Sequence, residues 1–541
     1  MTPTMMPTDL TITSLMQHTD KVHGKSTLRS ISSGNRDHKY SYCEGFKRAR
    51  QLANALAKFG LQPQDCIGTL AWNDHRHFEL YYAVSCSGYI CHTVNPRLFS
   101  EQLEYIINHA EDQWIFIDPD FVPLIEGLIE KLPLIKGIVV LTDAENMPST
   151  TMKNVHCYET LIADESEYFN WPTLDENSSA AICYTSGTTG NPKGVMYTHR
   201  STVLHAMASA LPDAFSLSAS EVIMPIVPMF HVNAWGWVYS GPMTGADLVL
   251  PGRDMGNAKT ITQLIAQEKV TLSAAVPAIW MLVLKYLADN NKTLESLNRI
   301  IVGGAVCPLS VIEQMEELHN VHTISAWGMT EMSPLGALCS LRPHHYDLPK
   351  AERHKLQLKA GVPLYGVEMK IVDDENNELP WDGEAAGSLR VRGPWVCNRY
   401  FKQEKSAIEA DGWFDTGDIS TIDAEGFMMI TDRAKDLIKS GGEWISSTEL
   451  ENCAAGHPEI AAAAVIGMPH EKWDERPLLI AVLNESSSLT KQEALAWFES
   501  KVAKWWIPND CIFIDSIPMT ATNKISKKDL RIQFVGFKFN A

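Results

Sequence analysis

From Tyr184 to Arg200 the chain reads YTSGTTGNPKGVMYTHR. Thr185, Ser186, Gly187, Thr188, Thr189 and Gly190 crowd hydroxyls and glycines into one stretch, and Pro192, Lys193 and Gly194 follow. Small residues let a backbone approach a polyphosphate closely, and hydroxyl and amide groups donate to its oxygens. Lys193 adds a mobile positive charge. Clusters of Gly, Ser and Thr are commonly plain turns, but here S-G-T-T-G-x-P-K-G agrees with one pattern at too many positions for chance. A Walker A loop needs G-x-x-x-x-G-K-[ST]; here Pro192 precedes the lysine and Gly194 follows it. The ligand implied is a nucleotide triphosphate, held by another kind of phosphate loop.

Five further segments carry chemistry. Ala326-Trp327-Gly328-Met329-Thr330-Glu331 sets an aromatic beside a glycine, which suits stacking on a purine. In it Thr330 suits an α-phosphate and Glu331 offers a hard oxygen for Mg²⁺, although a Thr-Glu pair also fits a helix start. Gly303-Gly304-Ala305 follows the apolar run Ile300–Val302 and by itself makes a turn. In Asp415-Thr416-Gly417-Asp418 an aspartate in a tight turn suits ribose hydroxyls, and a simple Asx-turn fits equally well. The segment 431–444, TDRAKDLIKSGGEW, reads as a charged linker leading to a glycine turn. Near the C-terminus, Pro518-Met519-Thr520-Ala521-Thr522-Asn523-Lys524-Ile525 carries a lysine that composition alone would leave solvated.

The elements that must position these residues alternate. Residues 44–59 have helical periodicity and stop at Gly60, and Cys66–Trp72 reads as a strand. A helix over 75–88 precedes a strand at Ile90–Val94. Trp114–Ile117 and Gly137–Leu141 are short buried strands, and Ala180–Tyr184 delivers the chain into the phosphate loop. This alternation predicts an α/β fold with largely parallel sheets. From about 361 the texture changes to short stretches (Met369–Val372, Gly387–Val391, Met428–Ile430) that predict a β-rich subdomain over 361–432. A last segment has its own elements at Ser447–Cys453, Ala461–Ile466 and Leu478–Leu483.

The chain has 541 residues, too many for one core, and a net charge of −19. The charge argues against nucleic acid or an anionic membrane as main partner. No apolar stretch reaches the length of a membrane span. Eleven dispersed cysteines, with no CxxC pair and no secretory signal, predict reduced thiols and a cytoplasmic protein. His75, His77, His344 and His345 lack a matching ligand set and read as surface or packing histidines.

The phosphate loop resembles the signature of the adenylate-forming superfamily, which includes acyl-CoA synthetases, firefly luciferase and the adenylation domains of peptide synthetases. All six segments fall in that family's order across roughly residues 40–530. Met229-Phe230-His231-Val232-Asn233-Ala234-Trp235-Gly236 and Lys439–Ser446 carry a narrower likeness to medium-chain fatty acyl-CoA ligases and 3-methylthiopropionyl-CoA ligases. The resemblance implies a large N-terminal AMP-binding domain over 1–432, with two sheets and a β-barrel-like part, and a small mobile α+β domain over 433–541. It implies ATP, Mg²⁺ and CoA. Thr185, Ser186, Gly187, Thr188, Thr189, Lys193, Gly304, Ala305, Ala326, Trp327, Gly328, Met329, Thr330, Asp418, Arg433, Lys439 and Lys524 would bind the nucleotide. Thr185 and Glu331 would hold the metal, and both would act in catalysis with Lys524. His231, Trp235, Gly303 and Pro334 would form the acyl pocket, while Trp237 reads as a core aromatic. Ser440, Gly441, Gly442, Glu443, Trp444 and Glu475 would approach CoA, and Lys435 and Asp436 would form the hinge. Two positions depart from the pattern. Asp474 stands where a glycine is common, and Asn523 replaces the glycine before the mobile lysine, at a turn that asparagine tolerates.

The reaction expected is attack of a carboxylate on the α-phosphate of ATP, release of pyrophosphate, and transfer of the acyl group from acyl-AMP to the CoA thiol. No protein nucleophile is needed, which fits the lack of a Ser-His-Asp or Cys-His arrangement. The acid expected is a short- or medium-chain fatty acid or 3-methylthiopropionate, with a long-chain or aryl acid as the alternative. A carrier-protein or oxygen acceptor is a rival, as is a nucleotide-binding regulator without catalysis. A homodimer is left open.

Overall fold

Capping chemistry and buried apolar runs set the scaffold under the site. The computed structural model describes residues 5–185, 191–433, 435–440, 443–470, 472–485, 487–499, 501–520 and 525–539, with Arg433, Glu443 and Trp444 described by backbone alone. The predicted helix over 44–59 spans Tyr42–Leu56, because Ser41 and Glu44 close a capping box that starts it earlier. Gly60, at φ +69°, lies in the turn that follows. The helix His75–Cys86, begun by the N-cap Asp74, is buried along its whole length.

These two helices lie between two sheets, in a core that mixes Phe46, Phe78 and Tyr82 with strand residues of both. The seven-stranded sheet runs Val155–Cys157, Gly137–Val140, Trp114–Ile117, Cys66–Leu70, Ile90–Thr93, Ser179–Tyr184, Gly194–Thr198. Its first six strands are parallel and the last is antiparallel. Cys66–Leu70, Ile90–Thr93, Trp114–Ile117 and Gly137–Val140 are buried at every position, as strands covered on both faces must be. The nine-stranded sheet runs Val362–Pro363, Leu335–Leu338, His322–Gly328, Arg299–Val302, Leu272–Ala275, Val222–Pro225, Asp247–Leu250, Thr27–Ser32, Asn35–Ser41. It is parallel in the middle and antiparallel at both edges.

The stretch after Gly361 is dominated by strands. Glu368–Val372, Gly387–Arg392, Phe414–Ile422 and Met428–Arg433 form an antiparallel four-stranded sheet. The turn read at Asp415–Asp418 lies inside a strand. The Asx-turn exists, with Gly417 N–H donating to Asp415 Oδ1 at 2.8 Å and Gly417 at φ +72°, but it is embedded within the strand Phe414–Ile422. The C-terminal part builds a separate sheet from Ile438–Ser440, Glu443–Ile445, Ile460–His470, Asp474–Leu483 and Asp510–Phe513, with apolar clusters of its own. The expected boundary after Asp432 falls at the end of the strand Met428–Arg433. The helix Ser447–Ala455 sits against that strand, where buried Asp432 accepts from the Ser447 backbone N–H and hydroxyl, both at 2.6 Å.

Among the described residues no helix is long and apolar enough to cross a membrane. The eleven cysteines are free thiols.

Candidate active site

The phosphate loop is the connection of a hairpin. Ser179–Tyr184 pairs antiparallel with Gly194–Thr198, and Tyr184 opposite Gly194 is the last pair before the loop. Beyond it, Thr185 N–H donates to the Lys193 carbonyl at 2.9 Å, and Lys193 N–H donates to Thr185 Oγ1 at 3.2 Å. Thr185 and Lys193 therefore face one another across the mouth. Ser186, Gly187, Thr188 and Thr189 lie outside the described residues. The hairpin is anchored from two sides. Tyr184 hydroxyl meets His109 Nδ1 at 2.7 Å, and Phe401 N–H donates to the Gly194 carbonyl at 2.8 Å. Gly194 packs closely: an added Cβ would come within 2.9 Å of Ile182 Cδ1 and 3.2 Å of Phe401 Cβ, so these neighbours would have to shift.

The Thr330–Met332 turn is a short 3-10 element, so the helix-start pattern of Thr-Glu is realised as a single tight turn. Its backbone is held by Tyr197, whose hydroxyl donates to the Thr330 carbonyl at 2.7 Å, and by Cys397 N–H, which donates to the Glu331 carbonyl at 2.7 Å. Glu331 is buried, and burial raises its pKa above the ordinary carboxylate value, against the Tyr400 hydrogen bond and the Lys193 charge, which pull it down. Tyr400 is the residue that sequence reasoning missed. Its hydroxyl donates to Glu331 Oε1 at 2.7 Å, while Lys193 Nζ lies over its ring, 4.6 Å from the centroid. No local pattern marks Tyr400, since its contacts cross the fold. An open cleft of ≈ 860 Å³ begins beside these side chains and continues past Gln403, Lys405 and Ser406.

Trp327 and Asp418 converge from different sheets. The Trp327 indole N–H donates to Asp418 Oδ2 at 2.9 Å. The Trp327 ring lies over Gly336, where an added Cβ would fall 2.5 Å from it. Gly328 admits the Pro334 carbonyl, which a Cβ would meet at 2.1 Å, and Pro334 O accepts from Met329 N–H at 3.0 Å. Trp327, Pro334 and Met329 are thereby locked into one layer. Gly303 and Gly304 follow the strand Arg299–Val302, with Gly304 at φ +82°.

Trp235 abuts Gly303: a Cβ on Gly303 would come within 2.8 Å of Trp235 Cη2 and 3.0 Å of the Ala326 carbonyl. Trp235 reaches that position through an unusual backbone. Val232, Asn233, Ala234, Trp235 and Gly236 all have positive φ, from 47° to 80°, which makes a single left-handed turn. Non-glycine residues there cost roughly 1–2 kcal/mol each. Distant groups hold the turn. Asn73 accepts Met229 N–H at 2.7 Å and donates to the Val227 carbonyl at 2.8 Å, Tyr81 hydroxyl bonds Met229 O and, at 3.2 Å, Asn233 Oδ1, and Val232 N–H meets Cys183 Sγ at 3.3 Å. His231 opens this segment half-buried, and Trp237 is fully buried in the core.

A second group forms on the C-terminal sheet. Glu475 Oε2 accepts Lys439 N–H at 3.1 Å, and Arg476 donates to Ser440 Oγ at 3.0 Å. The strand Ile438–Ser440 thus meets the Asp474–Arg476 strand end, which brings Ser440 and Glu475 together. Asp474 adopts φ +61°, the conformation a glycine takes without cost. Gly441, Gly442 and Lys524 lie outside the described residues, as does the turn residue Asn523. At the expected hinge, Arg531 donates to Asp436 Oδ1 at 2.8 Å and to the Lys435 carbonyl at 3.3 Å. The Cα of Arg433 pairs across the sheet with that of Asp418.

Of the histidines, His75 and His77 are buried and hydrogen-bonded to Ser30 and Thr69. His344 and His345 both approach Glu425 at 3.2 Å. His345 Nδ1 accepts Arg342 N–H at 3.0 Å, so its Nε2 carries the proton, and Arg342 itself binds the same carboxylate at 3.0 Å. That is a packing cluster, with no lone pair from His345 left for a metal.

A model for AMP-binding enzymes matches residues 17–401, and one for the AMP-binding enzyme C-terminal domain matches residues 449–524. The chain is 48% identical over 530 residues to a 3-methylmercaptopropionyl-CoA ligase of Ruegeria lacuscaerulensis, covering 98% of each chain. It is 48% identical over 530 residues to a medium-chain-fatty-acid–CoA ligase of Ectopseudomonas oleovorans, covering 98% of this chain and 97% of that one. In fold it is similar to a crystal structure of an anthranilate CoA ligase in complex with anthranoyl-AMP, with a TM-score of 0.86 at 24% identity over 98% of both chains.

Proposed function

The chain belongs to the AMP-binding enzyme family, and from that premise we propose that it is an AMP-forming acid–CoA ligase for 3-methylthiopropionate or a short- or medium-chain fatty acid. The relatives at 48% identity over nearly full length support the reaction and the class of acid. The observation that carries the reading is the Lys193–Tyr400–Glu331 assembly. It sets an ammonium for polyphosphate oxygens beside a buried carboxylate, whose turn is one hydrogen bond away from the strand that leaves the phosphate loop.

In this reading the acid carboxylate attacks the α-phosphorus of ATP, the bond to pyrophosphate breaks, and acyl-AMP forms. Negative charge gathers around phosphorus, and Lys524 and Thr185 offset it. Lys193 and the loop hydroxyls hold the leaving pyrophosphate. The donor set fits Mg²⁺: Glu331 offers a carboxylate with one oxygen already taken by Tyr400, and Thr185 Oγ1 keeps a second lone pair beyond the Lys193 N–H it accepts. Mg²⁺ when bound supplies positive charge against the polyphosphate. Trp327 stacks on the adenine and Asp418 takes the ribose hydroxyls. The CoA thiol, losing its proton to solvent, then attacks the acyl carbon and AMP leaves.

The two half-reactions need different surfaces at one centre. We assign the division to 432/433, with 433–541 pivoting at Lys435 and Asp436 so that Lys524 gives way to Ser440, the 441–444 turn and Glu475. Arg433 and Lys439 stay near the nucleotide. Gly303, Trp235, His231 and Pro334 line the acid. Each methylene contributes only about 0.8 kcal/mol on burial, so neighbouring chain lengths differ modestly in rate. A cytoplasmic location and a homodimeric assembly belong to the same proposal.

The test is AMP release measured with and without CoA, over acids from propionate to palmitate with 3-methylthiopropionate included. The expected result is release that needs both acid and CoA and is greatest for short- and medium-chain acids or 3-methylthiopropionate. Release independent of CoA would point to another acceptor, and none at all would point to a regulator. A preference for palmitate would overturn the acid assignment.

A further inference from the structure

A site that holds a buried carboxylate near an ammonium faces a problem of self-neutralisation. The two charges attract, and an ion pair between them would have to be broken each time the nucleotide enters. Lys193 and Glu331 are such a pair, yet no ion pair joins them. Tyr400 stands between. Its hydroxyl donates to Glu331 Oε1 at 2.7 Å, and its ring face lies under Lys193 Nζ at 4.6 Å. Each charge is met by a neutral group of suitable polarity, a phenol O–H for the carboxylate and a π-face for the cation.

Tyr400 is itself held in place. Cys397 N–H, three residues before it, donates to the Glu331 carbonyl at 2.7 Å, and Phe401 N–H, directly after it, donates to the Gly194 carbonyl at 2.8 Å. The segment 397–401 therefore spans from the Glu331 turn to the phosphate-loop hairpin, and Tyr400 is positioned from both. We propose that Tyr400 is a spacer that keeps Lys193 and Glu331 apart in the free enzyme, so that the polyphosphate displaces Lys193 from a ring face rather than from a carboxylate. Tyr400 is thus a positioning residue that acts through Lys193 and Glu331. The proposal rests on the reading that those two residues serve the nucleotide and its metal.

The experiment is calorimetric binding to the full chain, without acid or CoA, of Mg·ATP and of ATP in EDTA. Tyr400→Phe keeps the ring and loses the hydroxyl. It should weaken Mg·ATP about tenfold, the size of a lost hydrogen bond to a charged group, and leave metal-free ATP within twofold. Tyr400→Leu removes the ring as well, lets Lys193 pair with Glu331, and should weaken both ligands about tenfold. In the Tyr400→Leu background, Glu331→Gln should then restore metal-free ATP binding, by clearly more than the same change does beside Tyr400. A general packing defect would show no such rescue. Binding of both ligands by Tyr400→Leu within twofold of the parent, or the absence of rescue, would overturn the spacer. If the leucine variant does not fold, Tyr400→Phe decides alone: unchanged Mg·ATP affinity rejects the proposal. If Lys193→Met and Glu331→Gln, each beside an intact Tyr400, leave Mg·ATP binding unchanged, the assignment of the nucleotide site fails instead.

Discussion

The Trp327 indole N–H and the Asp418 carboxylate are joined by a 2.9 Å hydrogen bond, so the ring assigned to the purine also fixes the group assigned to the ribose. Trp327→Phe keeps an aromatic face and removes the donor. A hydrogen bond to a charged group carries about 1.5–3 kcal/mol. The expected outcome is an ATP KM raised tenfold or more with kcat within about threefold of the parent, read by steady-state kinetics at saturating acid and CoA. An unchanged KM would show that Asp418 is held without Trp327.

Gly303→Ala tests the acyl pocket. The new methyl would lie 2.8 Å from Trp235 Cη2 and 3.0 Å from the Ala326 carbonyl, so the indole must shift. Overpacking of this kind costs about 1–3 kcal/mol. The value of kcat/KM should fall about tenfold for octanoate, and much less for propionate. Trp235→Leu in the same background should recover the loss. Equal loss for both acids would remove Gly303 from the pocket wall.

Lys435→Pro tests the pivot. Proline fixes φ near −65° and removes a backbone donor, which stiffens the segment that Arg531 grips through the Lys435 carbonyl and Asp436. Acid-dependent pyrophosphate exchange should stay within a few-fold of the parent, while acyl-CoA formation should drop by about two orders of magnitude. Matching losses in the two assays would argue against alternation at this position.

Acid lability follows from three buried histidines. Burial lowers the pKa of His77 and His199 to about 4 and that of His205 to about 3. Each is an acceptor or donor in its neutral form; His205 Nε2 accepts Leu335 N–H at 3.2 Å. The unfolded chain protonates them near the ordinary value of 6.5 and the folded chain does not, so their contribution is present above pH 6.5 and is lost as pH falls toward 4 and then 3. Each adds a slope of up to about 1.4 kcal/mol per pH unit across that window. Urea midpoints should fall steeply between pH 6.5 and 4.5 and be nearly flat from 7 to 8. His205→Gln should make the acid limb shallower.

Much of the scaffold was legible because it is locally written. Trp114–Ile117 stands as read, and Ala180–Tyr184 differs by one residue, since short apolar runs bounded by polar residues have few alternatives. The helix over 44–59 begins two residues early, because a capping box outweighs periodicity at a terminus, and ends at Leu56. Phe414–Ile422 was hidden by Asp415 and Gly417, whose side-chain turn is real yet interrupts a strand without ending it. The convergence of Trp327 on Asp418 and of Trp235 on Gly303 matched the residues singled out. Tyr400 did not announce itself, because its partners are 69 residues away at Glu331 and further still at Lys193. Nor did the left-handed turn, since nothing in Val-Asn-Ala-Trp favours positive φ except its asparagine.

That turn limits how the enzyme can be redesigned. Residues 232–236 are not a cassette. Their shape is imposed by Asn73, Tyr81 and Cys183, none of which is near them in the chain. A segment copied from a relative to change acid preference would relax to a right-handed or extended path unless those three anchors came with it, and Trp235 would then point away from Gly303. With Trp235 lining the acid as proposed, specificity belongs to an address in the fold rather than to a stretch of sequence, and its natural unit of exchange is the whole set of eight residues.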